Sequence, residues 1–118
     1  MFRTIMKGKI HRATVTQSNV DYMGSISIDS DLLEACDILH NERVQVINLE
    51  TGARLETYAI PAEKGSGVIG MNGGAAHHAK VGDKILIMSY MLMETKDAVS
   101  FNPKVIFVND KNKVVDKK

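Results

Sequence analysis

The chain has 118 residues, with 15 Lys and Arg against 14 Asp and Glu for a formal net charge of +1. That is one domain's worth of core, with neither a basic footprint for nucleic acid nor a polyanionic tail. At 44% hydrophobic and 25% charged the composition excludes intrinsic disorder, and the single Cys36 excludes an intrachain disulfide and a cysteine zinc site.

Arg3, Lys7, Lys9 and Arg12 interrupt the first apolar residues, and no 18-residue apolar span follows. The expectation is a cytoplasmic chain that is neither exported nor embedded in a membrane. Residues 10–16, Ile-His-Arg-Ala-Thr-Val-Thr, are β-branched and roughly alternating, which predicts a strand with Ile10 and His11 on opposite faces. Ile26-Ser-Ile28 reads as a short strand. Asp29-Ser30-Asp31 then supplies N-cap candidates for a short helix with Leu32, Leu33, Cys36 and Ile38 on one stripe. Residues 44–49, a turn at Glu50-Thr51-Gly52, and residues 54–60 have the form of a hairpin, with Pro61 closing its second strand.

Gly65, Gly67 and Gly70 match G-x-G-x-x-G, but Val68 and Ile69 sit in a strand-like stretch and no long helix follows. A dinucleotide site is therefore not expected, and the glycines read as a loop with close backbone approach. Asn72-Gly73-Gly74-Ala75-Ala76 is a small-residue turn and Gly82-Asp83 another. Residues 85–93 are strongly apolar, residues 105–108 form a last strand, and residues 111–118 read as a frayed tail. Many short strands with glycine-rich turns predict a mainly β, single-domain barrel over residues 1–118, with one or two short helices. Taken alone, Arg54 and Lys9 read as solvated strand charges, Tyr58 as a rim aromatic, and His77-His78 as diverging side chains without further metal ligands. The seven Met residues read as core gap fillers.

Four motifs change the weighting: K-I-H at 9–11, Y-M-G-S at 22–25, R-L-E-T-Y at 54–58 and N-G-G-A-A at 72–76. Together they resemble bacterial aspartate 1-decarboxylases, in register from Arg3 to about Tyr90. Gly74 departs from the Ala or Pro more usual in that family, and the chain beyond Glu94 carries no diagnostic motif. The resemblance implies a double-psi β-barrel that assembles as a cytoplasmic homotetramer. It further implies a carboxy-lyase that converts L-aspartate to β-alanine and CO2 for pantothenate and coenzyme A biosynthesis.

It also implies a cofactor made from the chain, without metal or pyridoxal phosphate. Ser25 Oγ attacks the Gly24 carbonyl, and ester formation, β-elimination and hydrolysis leave a pyruvoyl cap on residues 25–118, separate from residues 1–24. Glycine at position 24 has no Cβ to block the hydroxyl's approach, and Thr57 is the candidate stabiliser of the oxyanion. In turnover the aspartate amine forms a Schiff base with the pyruvoyl group, which accepts the electrons left when CO2 departs. Tyr58 returns a proton to Cα, a role suited to a phenol that stays protonated at neutral pH. Substrate contacts are implied for Lys9, Arg54, Thr57, Asn72 and the backbone at Gly73, Gly74 and Ala75, with His11 and Tyr22 in support. A maturation factor that promotes cleavage is compatible with the resemblance, and which cation meets which carboxylate stays open. The competing readings are an uncleaved β-barrel binding module, disfavoured by 5% aromatics and no Trp, and a degenerate family member with a structural role.

Overall fold

The computed structural model describes residues 1–115. In chain order the elements are β1 (Phe2–Thr14), β2 (Gln17–Asn19), β3 (Ser25–Asp29), α1 (Ser30–Cys36), β4 (Arg43–Asn48), β5 (Arg54–Ala62), β6 (Ile69–Asn72), a 3-10 turn (Gly73–His77), β7 (Lys84–Glu94), α2 (Thr95–Ala98), β8 (Lys104–Val108) and β9 (Val114–Val115). The fold is mainly β with two short α-helices, as expected of a small barrel. No helix among the described residues is long and apolar enough to cross a membrane.

The sheet order is β2-β6-β3-β5-β4-β7-β1-β8-β9. β1 and β2 are two arms of one ribbon: β1 pairs with β7, and β2 pairs in parallel with β6. At the bend between them Val15 N–H donates to Asp83 O at 2.9 Å and Thr16 N–H to Ile69 O at 2.8 Å. The ribbon therefore closes the sheet on itself, and closure removes the open edges at which strands pair with other chains. Ile10, Val46 and Ile87 on one side, and Ile26, Ile28, Ile69 and Met71 on the other, point inward and are fully buried. Of the seven methionines, Met71, Met88 and Met93 are buried, whereas Met1, Met23 and Met91 are exposed.

β1 starts eight residues before the predicted strand because it is hydrogen-bonded on both edges, to β7 along its length and to β8 from Gly8 to His11. Such a ribbon carries Arg3 and Lys9 without loss of pairing, while Lys7 falls at a register shift between Met6 and Gly8. A bulge between Ile10 and Ala13, with Arg12 at φ 65°, bends it toward β2.

α1 is capped by Asp29, whose side chain accepts from Asp31 N–H. It ends at Asp37 in the left-handed region, φ 59°, so Ile38 is buried but lies beyond the helix. β5 runs through Pro61 to Ala62 instead of closing at the proline. At that end it pairs with β3 alone, so no ladder bond is lost for want of the Pro61 N–H. The tail expected at residues 111–118 is corrected over its first half. Val114–Val115 pairs with β8, and Asn112, 1% exposed, donates to Thr14 O and Gly67 O while accepting from Thr14 N–H. Residues 116–118 lie outside the described part of the chain.

Candidate active site

Ser25 opens β3 directly after an exposed loop, residues 20–24, in which Asp21 N–H donates to Asn19 Oδ1 and Tyr22 N–H to Asn19 O. Apart from its two chain neighbours, a Cβ on Gly24 would meet nothing within 4 Å, so no clash with the rest of the uncut chain requires glycine there. The close approach lies across the loop, at Gly73. Its φ is +61°, and a Cβ there would come within 2.8 Å of Gly24 Cα, Gly24 N and Tyr22 O. The Asn72-Gly73 step thus packs against the backbone just before Ser25.

Ser25 is 3% exposed, and its Oγ accepts from Asn72 Nδ2 at 2.9 Å. Asn72 stands directly opposite Ser25 in the β3–β6 ladder, which puts both side chains on one face. Beside them is a cleft of about 400 Å³ lined by Gly24, Ser25, Thr57, Tyr58, Gly74 and Ala75, together with Leu55, Glu56 and His78. Along β5, Arg54, Glu56 and Tyr58 are exposed while Leu55 and Thr57 turn inward, so the strand end offers the cleft a hydroxyl and a phenol from adjacent positions. The 3-10 turn carrying Gly74 and Ala75 is held by Asn48, whose Nδ2 donates to His78 O and to Asp83 Oδ2, both at 2.9 Å.

The other predicted residues lie elsewhere. Lys9, Met88, Gln45 and Glu56 form one row across β1, β7, β4 and β5, with Ile10, Ile87, Val46 and Leu55 forming the adjacent inward row. Three strand spacings separate Lys9 from Glu56, about 14 Å. Arg54 sits in the next outward row with Ile47 and Leu86, four residues and about 13 Å along β5 from Tyr58. His11 and Arg12 stand opposite Leu86 across the bulge, and the His11 ring packs on Phe107 with centroids 5.1 Å apart. Burial, then the charges of Lys9 and Arg12, push His11 below its usual pKa, so it is neutral at pH 7. Lys9, His11 and Arg54 therefore share the barrel's outer face and are not among the residues that line this cleft, Arg54 standing at its border next to Leu55 and Glu56. Tyr22 faces a smaller polar cavity of about 230 Å³ with Gln17, Asn19, Ser27 and Asn72.

Leu55, Glu56 and His78 are cleft residues that the sequence reading passed over. The first two lie inside the quoted R-L-E-T-Y motif, and the third was weighed only as a metal ligand. Glu56 pairs with Arg43 at 3.9 Å, so the acidic side chain of the cleft comes with an exposed guanidinium beside it. Another cavity, about 430 Å³ between Thr4, Arg43, Gln45 and Tyr90, also includes Glu56 but does not reach Ser25. No group of three or more His, Cys, Asp or Glu among the described residues could hold a metal ion.

A buried serine hydroxyl held by an amide donor at the mouth of an exposed loop, with a threonine and a tyrosine across a small cleft, is equipped for acyl chemistry at its own peptide bond and for proton transfer beside it. The family described as aspartate decarboxylase matches residues 1–115. A relative from Carboxydothermus hydrogenoformans, named aspartate 1-decarboxylase, is 58% identical over 98% of this chain and 91% of its own. Proteins of the same name from Listeria monocytogenes serotype 4b and Acetivibrio thermocellus are 56% and 55% identical, over 97% and 98% of this chain and 90% and 92% of theirs.

Proposed function

The chain belongs to the aspartate decarboxylase family, and from that premise we propose that it decarboxylates L-aspartate to β-alanine with a pyruvoyl group made from Ser25. The observation that carries the reading is Ser25 itself: buried, hydrogen-bonded by Asn72, and placed where the exposed loop at Gly24 meets the cleft. In the maturation read here, Ser25 Oγ bonds to the Gly24 carbonyl carbon while the Gly24–Ser25 C–N bond breaks, and the hydroxyl proton passes to the nitrogen. Loss of the Cα proton then expels the Gly24 carboxylate from Cβ, and water releases the nitrogen as ammonia. Thr57, across the cleft, is the donor proposed for the oxyanion of the first step.

The group so formed is a carbonyl that draws off the electrons freed when the α-carboxylate leaves. Tyr58 holds its phenol at the same cleft and is the proposed proton donor to Cα. The backbone at Gly73, Gly74 and Ala75, and the Asn72 amide, offer donors to the substrate. A dicarboxylate also needs cations, and at this chain's cleft the exposed Arg43 guanidinium already stands beside a carboxylate, Glu56, at 3.9 Å. We therefore read Lys9 and Arg54 as cations that one copy lends to the cleft of the next, with the neutral His11 in support. Closed symmetry then makes the homotetramer the natural assembly. A cytoplasmic setting accords with Cys36, a free thiol that burial pushes up to about 12. β-Alanine output toward pantothenate completes the reading.

Intact mass of the denatured protein tests it. Fragments of residues 1–24 and 25–118 are expected, the larger lighter by one ammonia than a free serine terminus requires. A single intact mass after prolonged incubation, with a maturation factor supplied, removes the pyruvoyl reading. Ser25→Ala, which has no hydroxyl to attack, is expected to stay whole and inactive.

A further inference from the structure

We propose that Ser27 is a positioning residue for cleavage, its hydroxyl fixing the Asn72 amide so that the other N–H stays on Ser25 Oγ; the proposal rests on the pyruvoyl reading. Asn72 Nδ2 donates to Ser25 Oγ and to Ser27 Oγ, each at 2.9 Å. Ser25 and Ser27 are two apart on β3, hence on one face, and Asn72 stands opposite Ser25 in the ladder. The amide is thus spanned by two hydroxyls of the same strand. Asn72 is 5% exposed and Ser27 half-buried, so the contact to Ser25 lies inside and the contact to Ser27 borders the small polar cavity.

The terminal torsion of an asparagine is broad and roughly two-fold. One contact leaves the amide free to swing, whereas two fix its plane. That plane matters because Ser25 Oγ changes role. It loses its proton when it bonds to the Gly24 carbon, and it leaves Cβ as part of the Gly24 carboxylate in the elimination. A fixed N–H on that oxygen favours charge in both steps. Ser27 touches no reacting atom and acts only through Asn72.

The test follows freshly made full-length chains by denaturing electrophoresis, timing the conversion of residues 1–118 into the two fragments. Ser27→Ala is expected to slow cleavage about tenfold, and Ser27→Thr, which keeps the hydroxyl, to stay within about twofold of the parent. Thermal midpoints of the three uncut proteins should coincide. Cleavage of Ser27→Ala at the parent rate, with the parent cleaving normally, overturns this proposal and leaves the pyruvoyl reading standing. Slow cleavage in both variants with lowered midpoints assigns Ser27 to packing and overturns it as well. A parent chain that never cleaves removes both readings at once.

Discussion

The two ends of β3 hold a buried oxygen side chain each, and they are treated in opposite ways. At the far end Asp29, 1% exposed, accepts from the N–H groups of Asp31, Gly65 and Gly67 at 2.8 to 2.9 Å. Burial alone would raise its carboxyl, but those three donors, Gly67 foremost, and the charge of Lys113 hold it below the usual carboxylate range. At the near end Ser25, almost as buried, has the Asn72 amide as a side-chain partner and an exposed loop before it. One end is saturated and ties α1 to the loop before β6. The other is left with bonding capacity to spend. A short strand can therefore anchor the fold at one end and keep a reactive group at the other.

The largest effect expected at the near end is on turnover. Tyr58→Phe keeps the ring and should leave cleavage intact while lowering the rate of β-alanine release by about 10² to 10⁴, the usual worth of a general acid. Cleaved variant protein that still turns over at the parent rate would move the proton donor elsewhere. At the far end the effect falls on stability instead. Asp29→Ala strands three N–H groups and removes a helix cap, with an expected cost of about 3 kcal/mol by denaturant unfolding of the uncut chain. Whatever fraction remains folded should still cleave, and a variant that is stable but uncut would erase the division of labour.

Acid provides a subtler version of the same contrast. The Asp29 carboxyl is held low, and that of Asp83 is held at about 2 by the N–H of Lys80, the Asn48 amide and the Lys80 ammonium. Groups depressed in the folded state stabilise it above their unfolded value, and that contribution goes as pH falls through the folded one. These two carboxylates should make stability decline from about pH 4 toward 2, with Asp83→Asn flattening part of that decline, while the depressed His11 adds a loss below about 6.5 and the raised Cys36 one above about 9. The smallest effect is predicted at Gly24. With nothing within 4 Å of its absent Cβ, Gly24→Ala should change the stability of the uncut chain by less than about 0.5 kcal/mol. A larger loss would show that the loop is held more tightly than its contacts indicate.

These two ends were unequally legible in the sequence. Gly24-Ser25 is an ordinary turn dipeptide, and only its company with R-L-E-T-Y and N-G-G-A-A drew attention to it. The structure does gather Ser25, Thr57, Tyr58, Gly74 and Ala75 at one cleft. Asp29 was visible as an N-cap, but its bonds to Gly65 and Gly67 were not, because a contact across 36 or 38 residues leaves no local periodicity. The G-x-G-x-x-G match coincides with these bonds: Gly65 and Gly67, at φ +79° and +72°, turn their N–H groups onto the carboxylate. That Lys9 and Arg54 are not among the residues lining the cleft was equally hidden. Alternation tells which face of a strand a residue occupies, but whether that face serves its own cleft or a neighbour's depends on assembly.

The ribbon that closes the barrel gives cleavage a lasting physical cost. Residues 1–24 contain all of β1 and β2, and β1 is bonded to β7 on one edge and to β8 on the other. The cut proposed after Gly24 would therefore sever the backbone without releasing the piece, and its product would be a two-chain complex held by its ladders. Before the cut, an unfolded chain finds its closing strand within itself, at a rate independent of concentration. Afterwards the two pieces must meet by diffusion, so recovery from denaturation becomes second order and slows on dilution. On the proposed maturation, the enzyme would gain its reactive carbonyl at the expense of ready renaturation, and its durability after processing would be set by how slowly the barrel opens.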